Sequence, residues 1–174
     1  GWRLDKEEFL NLPDYVKLLK IRGSWGRLGN NTIGVYSWEN TINPFANYIF
    51  GGVLQPGSTV VSIKDPNIKW ETVESSSLAL ELNLFNKLDF TAEYYTKKST
   101  EMLLSVPLPF SSGGTPNNIT TNAGDMKNMG WEFSLGYRQN IGDLRLTFNA
   151  NLGLLDNEVL KLGDNNNPIF GINS

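Results

Sequence analysis

Two pairs of carboxylates are the residues of this chain best spaced to do chemistry. They are Glu71 with Glu74 and Asp89 with Glu93. Paired carboxylates can act as acid and base, or as acid and nucleophile, in glycoside cleavage. On a strand, alternate side chains face opposite ways, so Asp89 and Glu93 share a face and Glu71 and Glu74 do not. Carboxylates on a water-facing side of a sheet explain the same spacing, and that reading is adopted over catalysis. The run Gly163-Asp164-Asn165-Asn166-Asn167 is as oxygen-rich as a calcium loop but lacks the other ligands. The glycines from Gly23 to Gly29 lack the helix and the Lys of a phosphate loop. The chain has no Cys and no His. That removes thiolate metal sites, disulfides, the usual zinc sites, the Ser-His-Asp triad and the commonest general base. No enzyme activity, catalytic residue, cofactor or metal is expected.

Aromatic residues offer a different chemistry. Trp38, Phe45, Tyr48 and Phe50 lie among Asn residues in a long Gly-, Asn- and Ser-rich stretch, residues 27–67. Flat rings beside amides suit sugars, which present apolar faces and hydroxyls. These four are the candidate substrate contacts; packing of the loop on itself is the competing use.

The elements that must position these residues are strands. Leu78, Leu80, Leu82 and Leu84 alternate with Ser77, Ala79, Glu81 and Asn83. Leu88, Phe90, Ala92 and Tyr94 alternate with Asp89, Thr91, Glu93 and Tyr95. Trp131, Phe133, Leu135 and Tyr137 alternate with Glu132, Ser134, Gly136 and Arg138. Leu144, Leu146, Phe148, Ala150, Leu152 and Leu154 alternate with Arg145, Thr147, Asn149, Asn151 and Gly153. An earlier stretch sets Leu19, Ile21, Gly23 and Trp25 against Lys20, Arg22, Ser24 and Gly26. Each strand therefore has one apolar and one polar face.

Strands are predicted over 17–26, 68–84, 88–98, 123–139 and 144–157, with shorter ones near 33–38 and 46–53. A short helix over 5–10 is expected, with Asp5 and Glu8 as a capping box and Leu4 and Phe9 as a staple. Matching the apolar faces across the first hairpin requires an odd loop, and Phe85-Asn86-Lys87 fits. The second hairpin requires an even loop within 140–143. Four residues would set Arg138 opposite Arg145, and two would make Asn140-Ile141 an awkward turn, so its register stays open. Residues 27–67 and 99–122 read as long loops, and the tail around Asn165-Asn166-Asn167-Pro168 also reads as loop.

Periodicity alone leaves two architectures open. One is a soluble glycan- or protein-binding β-sandwich whose apolar faces meet in a core. The other is part of a transmembrane β-barrel, apolar outside and wet inside. The strands are longer than the five or six residues usual in soluble sheets. Their polar faces carry Arg22, Glu81, Glu93, Glu132 and Arg145, as a watery lumen allows. Phe85 and Tyr137 beside tight turns suit an interfacial aromatic girdle. Long and short connections alternate, as in outer-membrane barrels with long loops outside the cell. Leu19, Ile21, Leu78, Leu80, Leu82, Leu84, Phe90, Phe133, Leu135, Leu146, Phe148 and Leu152 are the expected lipid-facing set. The barrel reading is preferred.

The totals agree with that reading. The 174 residues are 40% hydrophobic and 19% charged, which excludes a disordered composition. A net charge of −3 argues against nucleic acid as a partner. No run approaches the length of a transmembrane helix, but barrel strands need none. The start at Gly1-Trp2-Arg3 rather than Met is that expected of a piece of a longer precursor.

Several segments resemble the SusC/RagA family of TonB-dependent outer-membrane transporters. They are GWRLDKEEF at 1–9, LLKIRGSWGRLGN at 18–30, YIFGG at 48–52 and DPNIKWE at 65–71. They continue with LFNKLDFTAEYYTKK at 84–98, LLSVPLP at 103–109 and NAGDMKNMGWEFSLGYR at 122–138. Their order and spacing follow the family across nearly the whole chain. The resemblance implies an all-β fold, with antiparallel up-and-down strands forming part of a large transmembrane barrel in the outer membrane of a Gram-negative bacterium. Residues 1–174 would be a partial barrel without the plug domain, and 27–67 and 99–122 its extracellular loops. It implies import of glycans or peptides, a SusD-like surface lipoprotein as lid, and TonB acting through the missing plug.

Overall fold

A computed structural model describes residues 1–109, 111 and 118–163. The expected loop around Asn165-Asn166-Asn167-Pro168 and most of the calcium-like run lie outside these residues. Strand β1 is Trp2–Arg3 and β2 is Val16–Asn30. Four short strands follow: β3 Thr41–Asn43, β4 Tyr48–Phe50, β5 Val53–Gln55 and β6 Thr59–Ser62. The long ones are β7 Glu71–Leu84, β8 Leu88–Pro107, β9 Asn118–Ile141 and β10 Leu144–Leu162. The long strands and β1 make one antiparallel sheet in the order β1-β2-β7-β8-β9-β10. Strands β3 and β6 pair as one ribbon, and β4 and β5 pair as a second nested inside it.

The chain divides into two compact units. The first comprises Gly1–Leu28, Val73–Lys98 and Lys127–Glu158. The second comprises Gly29–Thr72, Ser99–Met126 and the stretch beginning at Val159.

Several boundaries differ from those expected. The predicted loop over 99–122 is strand at Ser99–Pro107 and Asn118–Asn122. The alternation stumbles near Glu101, which has a positive φ of 57° and takes its backbone partners from side chains. A bulge breaks the period without ending the strand. Strand β2 likewise continues to Asn30. Strand β7 starts at Glu71 rather than 68, because Asp65 caps a turn: its carboxylate accepts from the Asn67 amide at 2.8 Å. The strand expected near 33–38 is a turn, while 46–53 falls on the β4–β5 hairpin.

At the β7–β8 hairpin the expected three residues separate the strands, and the Lys87 amide donates to the Leu84 carbonyl at 3.0 Å. At the β9–β10 hairpin the turn is Gly142-Asp143, neither of the loops weighed from sequence. Gly142, at φ +59°, supplies the left-handed backbone a two-residue hairpin turn needs. Ile141 and Leu144 then flank the turn, and the apolar faces stay in phase.

The expected helix over 5–10 shrinks to a single 3-10 turn, Leu4–Lys6, and Asp5 does not cap it. The Asp5 carboxylate instead accepts from Arg3 Nη2 at 2.6 Å and from the Leu19 amide at 3.2 Å. Held chiefly by the Arg3 guanidinium, its pKa is lowered to about 2. Phe9 meets Trp2 with ring centroids 6.3 Å apart rather than stapling to Leu4.

Among the described residues only Ala79 and Ala123 form a buried apolar core, and no large side chain is fully buried. Leu78 is 59% exposed and Phe148 58%. A β-sandwich would bury these side chains between its layers, so that alternative is not the fold adopted.

Candidate functional site

In the first unit the polar face is a charged ladder across strands. Lys20 Nζ lies 3.0 Å and Arg22 Nε 3.1 Å from Glu81, and Arg22 Nη2 reaches Glu93 at 2.9 Å. The Ser24 and Ser77 hydroxyls bond at 2.9 Å. Asn83 Nδ2 donates to Asp89 at 2.6 Å, and Arg138 pairs with the same carboxylate. These groups are solvated and partly exposed, so the pairs add little to stability. Their role is mainly to hold opposite charges in register on one face. The residues match the polar positions read from alternation.

The carboxylates weighed for glycoside cleavage are all engaged. Glu93 is tied to Arg22, and Asp89 to Asn83 and Arg138. Glu74 accepts from Trp25 Nε1 at 3.3 Å, and Glu71 accepts from the Leu103 amide at 2.9 Å. Among the described residues no His, Cys, Asp or Glu cluster could hold a metal ion.

The opposite face of this unit is aromatic and aliphatic. Phe90 and Phe133 stack with centroids 6.5 Å apart, and Tyr94 meets Trp131 at 5.0 Å. Trp131 and Phe133 stack in turn at 5.9 Å. Leu78, Leu80, Leu146, Phe148 and Leu152 are exposed; Leu19, Ile21, Leu82, Leu84, Phe90, Phe133 and Leu135 are half-buried. None of the twelve is buried. On the polar side, Gly130 lets two neighbours come close. A Cβ there would meet the Tyr95 hydroxyl at 2.9 Å and run into the Leu154 carbonyl. At the tight-turn end Tyr15 stacks on Phe85 at 5.1 Å, and the Phe85 amide donates to the Tyr15 carbonyl at 2.7 Å.

In the second unit, two of the segments that carry the family resemblance interlock. Asn122 Oδ1 accepts from the Lys69 amide at 2.7 Å, while its Nδ2 donates to the Lys69 carbonyl at 2.8 Å and the Glu101 carbonyl at 2.7 Å. Asp125 accepts from the Glu101 amide at 3.0 Å. Asp65 accepts from the Thr121 hydroxyl. The DPNIKWE and NAGD segments therefore clasp one another through side chain to backbone bonds. Sequence reading named these segments but not this role; the polar residues inside otherwise strand-forming runs were the available signal.

Beyond this clasp, the β3–β6 and β4–β5 ribbons form a two-tier arm. Its tip turn is Gly51-Gly52, at φ +58° and +79°. Tyr48 and Phe50 lie on β4, Phe45 just before it, and Trp38 in the preceding turn. Tyr48 is 71% exposed and Phe45 79%. Among the described residues, no ring pair joins any of these four candidates. All four side chains are exposed.

Comparison with known proteins fits this two-faced architecture. The family model described as TonB dependent receptor-like, beta-barrel matches residues 11–173. TonB-dependent receptor P26 of Formosa agariphila is 36% identical over 136 residues, covering 78% of this chain and 13% of that protein. TonB-dependent receptor SusC of Bacteroides thetaiotaomicron is 27% identical, covering 93% of this chain and 17% of its own. The RagAB peptide importer in its closed-closed state aligns with TM-score 0.72 and 25% identity, over 91% of this chain and 17% of that one. The chain thus spans well under a fifth of the length of these relatives. With one wet face, one greasy face and a family match along nearly its whole length, the chain belongs to the TonB-dependent receptor-like β-barrel family of the Gram-negative outer membrane.

Proposed function

We propose that these residues form wall strands and outward-facing loops of a nutrient importer that carries glycans or peptides across the outer membrane. The observation that carries this reading is the division of one sheet into a charged ladder and an exposed aromatic-aliphatic face. Such a sheet suits a wall with water on one side and lipid on the other. Leu19, Ile21, Leu78, Leu80, Leu82, Leu84, Phe90, Phe133, Leu135, Leu146, Phe148 and Leu152 then contact lipid. Residues 27–67 and 99–122 contain the extracellular connections, and the tight turns face the periplasm. The protein binds and translocates; it does no covalent chemistry. Its partners are a SusD-like surface lipoprotein, and TonB acting through a plug region of the whole receptor. Support for both comes from SusC and the RagAB importer among the relatives.

On the arm, Trp38, Phe45, Tyr48 and Phe50 serve as substrate contacts. The test replaces all four by Ser in the full-length receptor and measures uptake of labelled glycans and peptides. Uptake is expected to fall at least tenfold while the amount of folded receptor is unchanged. Unchanged uptake overturns the assignment of these contacts. For the lipid face, Phe148→Arg and Leu152→Arg, farther from the tight turn, are each expected to lower assembled receptor; a charge near the bilayer midplane costs about 2–4 kcal/mol. Full assembly of both variants refutes lipid contact there.

A further inference from the structure

The aromatic face of the first unit ends on two opposed lysines. Tyr94 meets Trp131 at 5.0 Å, and the Tyr94 hydroxyl reaches Met129 Sδ at 3.9 Å, so these three residues share one face of β8 and β9. Lys98 follows Tyr94 by four residues and Lys127 precedes Trp131 by four, which puts both on that same face. On the other face a Cβ on Gly136 would meet Asp89, and one on Gly130 would meet Tyr95. The register these contacts set places Lys98 directly across from Lys127, before the irregularity at Glu101. Like charges so placed repel. Both flanking strands, β7 and β10, are present beside the pair. Among the described residues no carboxylate of either strand, Glu74, Asp156 and Glu158 included, comes within ion-pair distance of Lys98 or Lys127. Glu74, the β7 acid at this level, accepts instead from Trp25 Nε1 at 3.3 Å.

The depth of the pair matters as much as its charge. Lys127 stands ten residues along β9 from Tyr137, which lies near the tight turn. At about 3.3 Å per residue and a tilt of about 40°, that separation is about 25 Å in height, the height of a barrel's apolar band. Lysines at such a depth lay their stems on the hydrocarbon and hold their ammonium groups among the headgroups. Two adjacent point charges match one phosphate monoester, with its charge of about −1.5 to −2, better than they match a singly charged diester. We infer that Lys98 and Lys127 together bind the phosphate monoester of an outer-leaflet lipid, whose apolar part lies along Tyr94 and Trp131. The inference rests on the wall reading proposed above and adds a specific ligand to its lipid side.

The test uses the full-length receptor in neutral detergent. Phosphatidic acid serves as the monoester lipid and phosphatidylglycerol as the diester, and bound lipid is counted by native mass spectrometry across a titration. A saturable phosphatidic acid site is expected, at least tenfold tighter than for phosphatidylglycerol. The Lys98→Gln/Lys127→Gln double variant should weaken it at least tenfold. Removing two opposed like charges leaves the fold intact. Lys97→Gln is the control, because Lys97 is exposed and adjacent in sequence but belongs to the other face; it should leave binding unaltered. Binding that survives the double variant, falls as far with Lys97→Gln, or is no tighter for phosphatidic acid than for phosphatidylglycerol overturns the inference. Assembly keeps this outcome apart from the wall reading. Receptor that stays folded and gel-shifted yet lacks the site refutes the lipid ligand alone, whereas full assembly of Phe148→Arg and Leu152→Arg refutes the wall.

Discussion

Two hairpin turns of this chain meet the same backbone demand in opposite ways. Both place consecutive residues in the left-handed region. In the arm these are Gly51 and Gly52, for which the conformation costs little. In the β7–β8 turn they are Phe85 and Asn86, at φ 57° and 55°. A left-handed Phe costs about 1–2 kcal/mol. The turn is held because Tyr15 stacks on the Phe85 ring and accepts its amide hydrogen. The arm tip has no such support: open space surrounds its glycines, and the side chains around it are exposed. Conformation is thus imposed by neighbours in the wall and by local residue type in the arm.

The largest effect should come from crowding the wall. Gly130→Val sets a branched side chain against the Leu154 carbonyl and Tyr95, and overpacking beside backbone costs about 3 kcal/mol or more. Full-length receptor with this change is expected to lose its folded, gel-shifted form. Gly51→Val should leave that form intact and affect only the arm. If the two variants assemble equally well, the contrast between wall and arm fails.

Asn122→Ala comes next. It strips partners from the Lys69 amide and carbonyl and from the Glu101 carbonyl, at a combined cost of about 2 kcal/mol for such partly exposed groups. Hydrogen exchange should quicken over 65–71 and around Glu101, with the β7–β8 turn unchanged. Smaller again is Tyr15→Ala, which removes an aromatic pair worth about 1 kcal/mol. Adding Phe85→Gly should recover most of that loss, because glycine accepts the turn without help. Absence of rescue would mean that Tyr15 does not act through the turn.

The smallest effect is a pH step at the N-terminal segment. The Asp5 pKa is depressed from its ordinary 3.8 to about 2, so the carboxylate stabilises this segment above about pH 4. That contribution is lost as the pH falls from about 4 through 2, as Asp5 is protonated. Trp2 fluorescence should report loosening over this window, and Asp5→Asn should remove the step.

Alternation of side chains made the two faces legible. Leu78 to Leu84 and Trp131 to Tyr137 lie where the period-two pattern puts them, because strand geometry ties face to parity whatever the neighbours are. The three-residue hairpin followed from the same parity, and so did the evenness of the second turn. The position of that turn did not follow. Shifting it by two residues preserves every face, and the local choice falls to Gly142, which can take the left-handed backbone the turn needs. The ends of β8 and β9 were missed for a related reason. Glu101 breaks the alternation, yet Asp125 and Asn122, distant in sequence, bind its backbone and let the sheet continue. Asp5 shows the same limit: its sequence context favours a helix cap, but the amide it reaches belongs to Leu19. Composition and period therefore determined the chemistry of each face and the medium it suits. Tertiary structure decided where strands end and which backbone groups the polar side chains serve, since each depends on residues that meet only after folding.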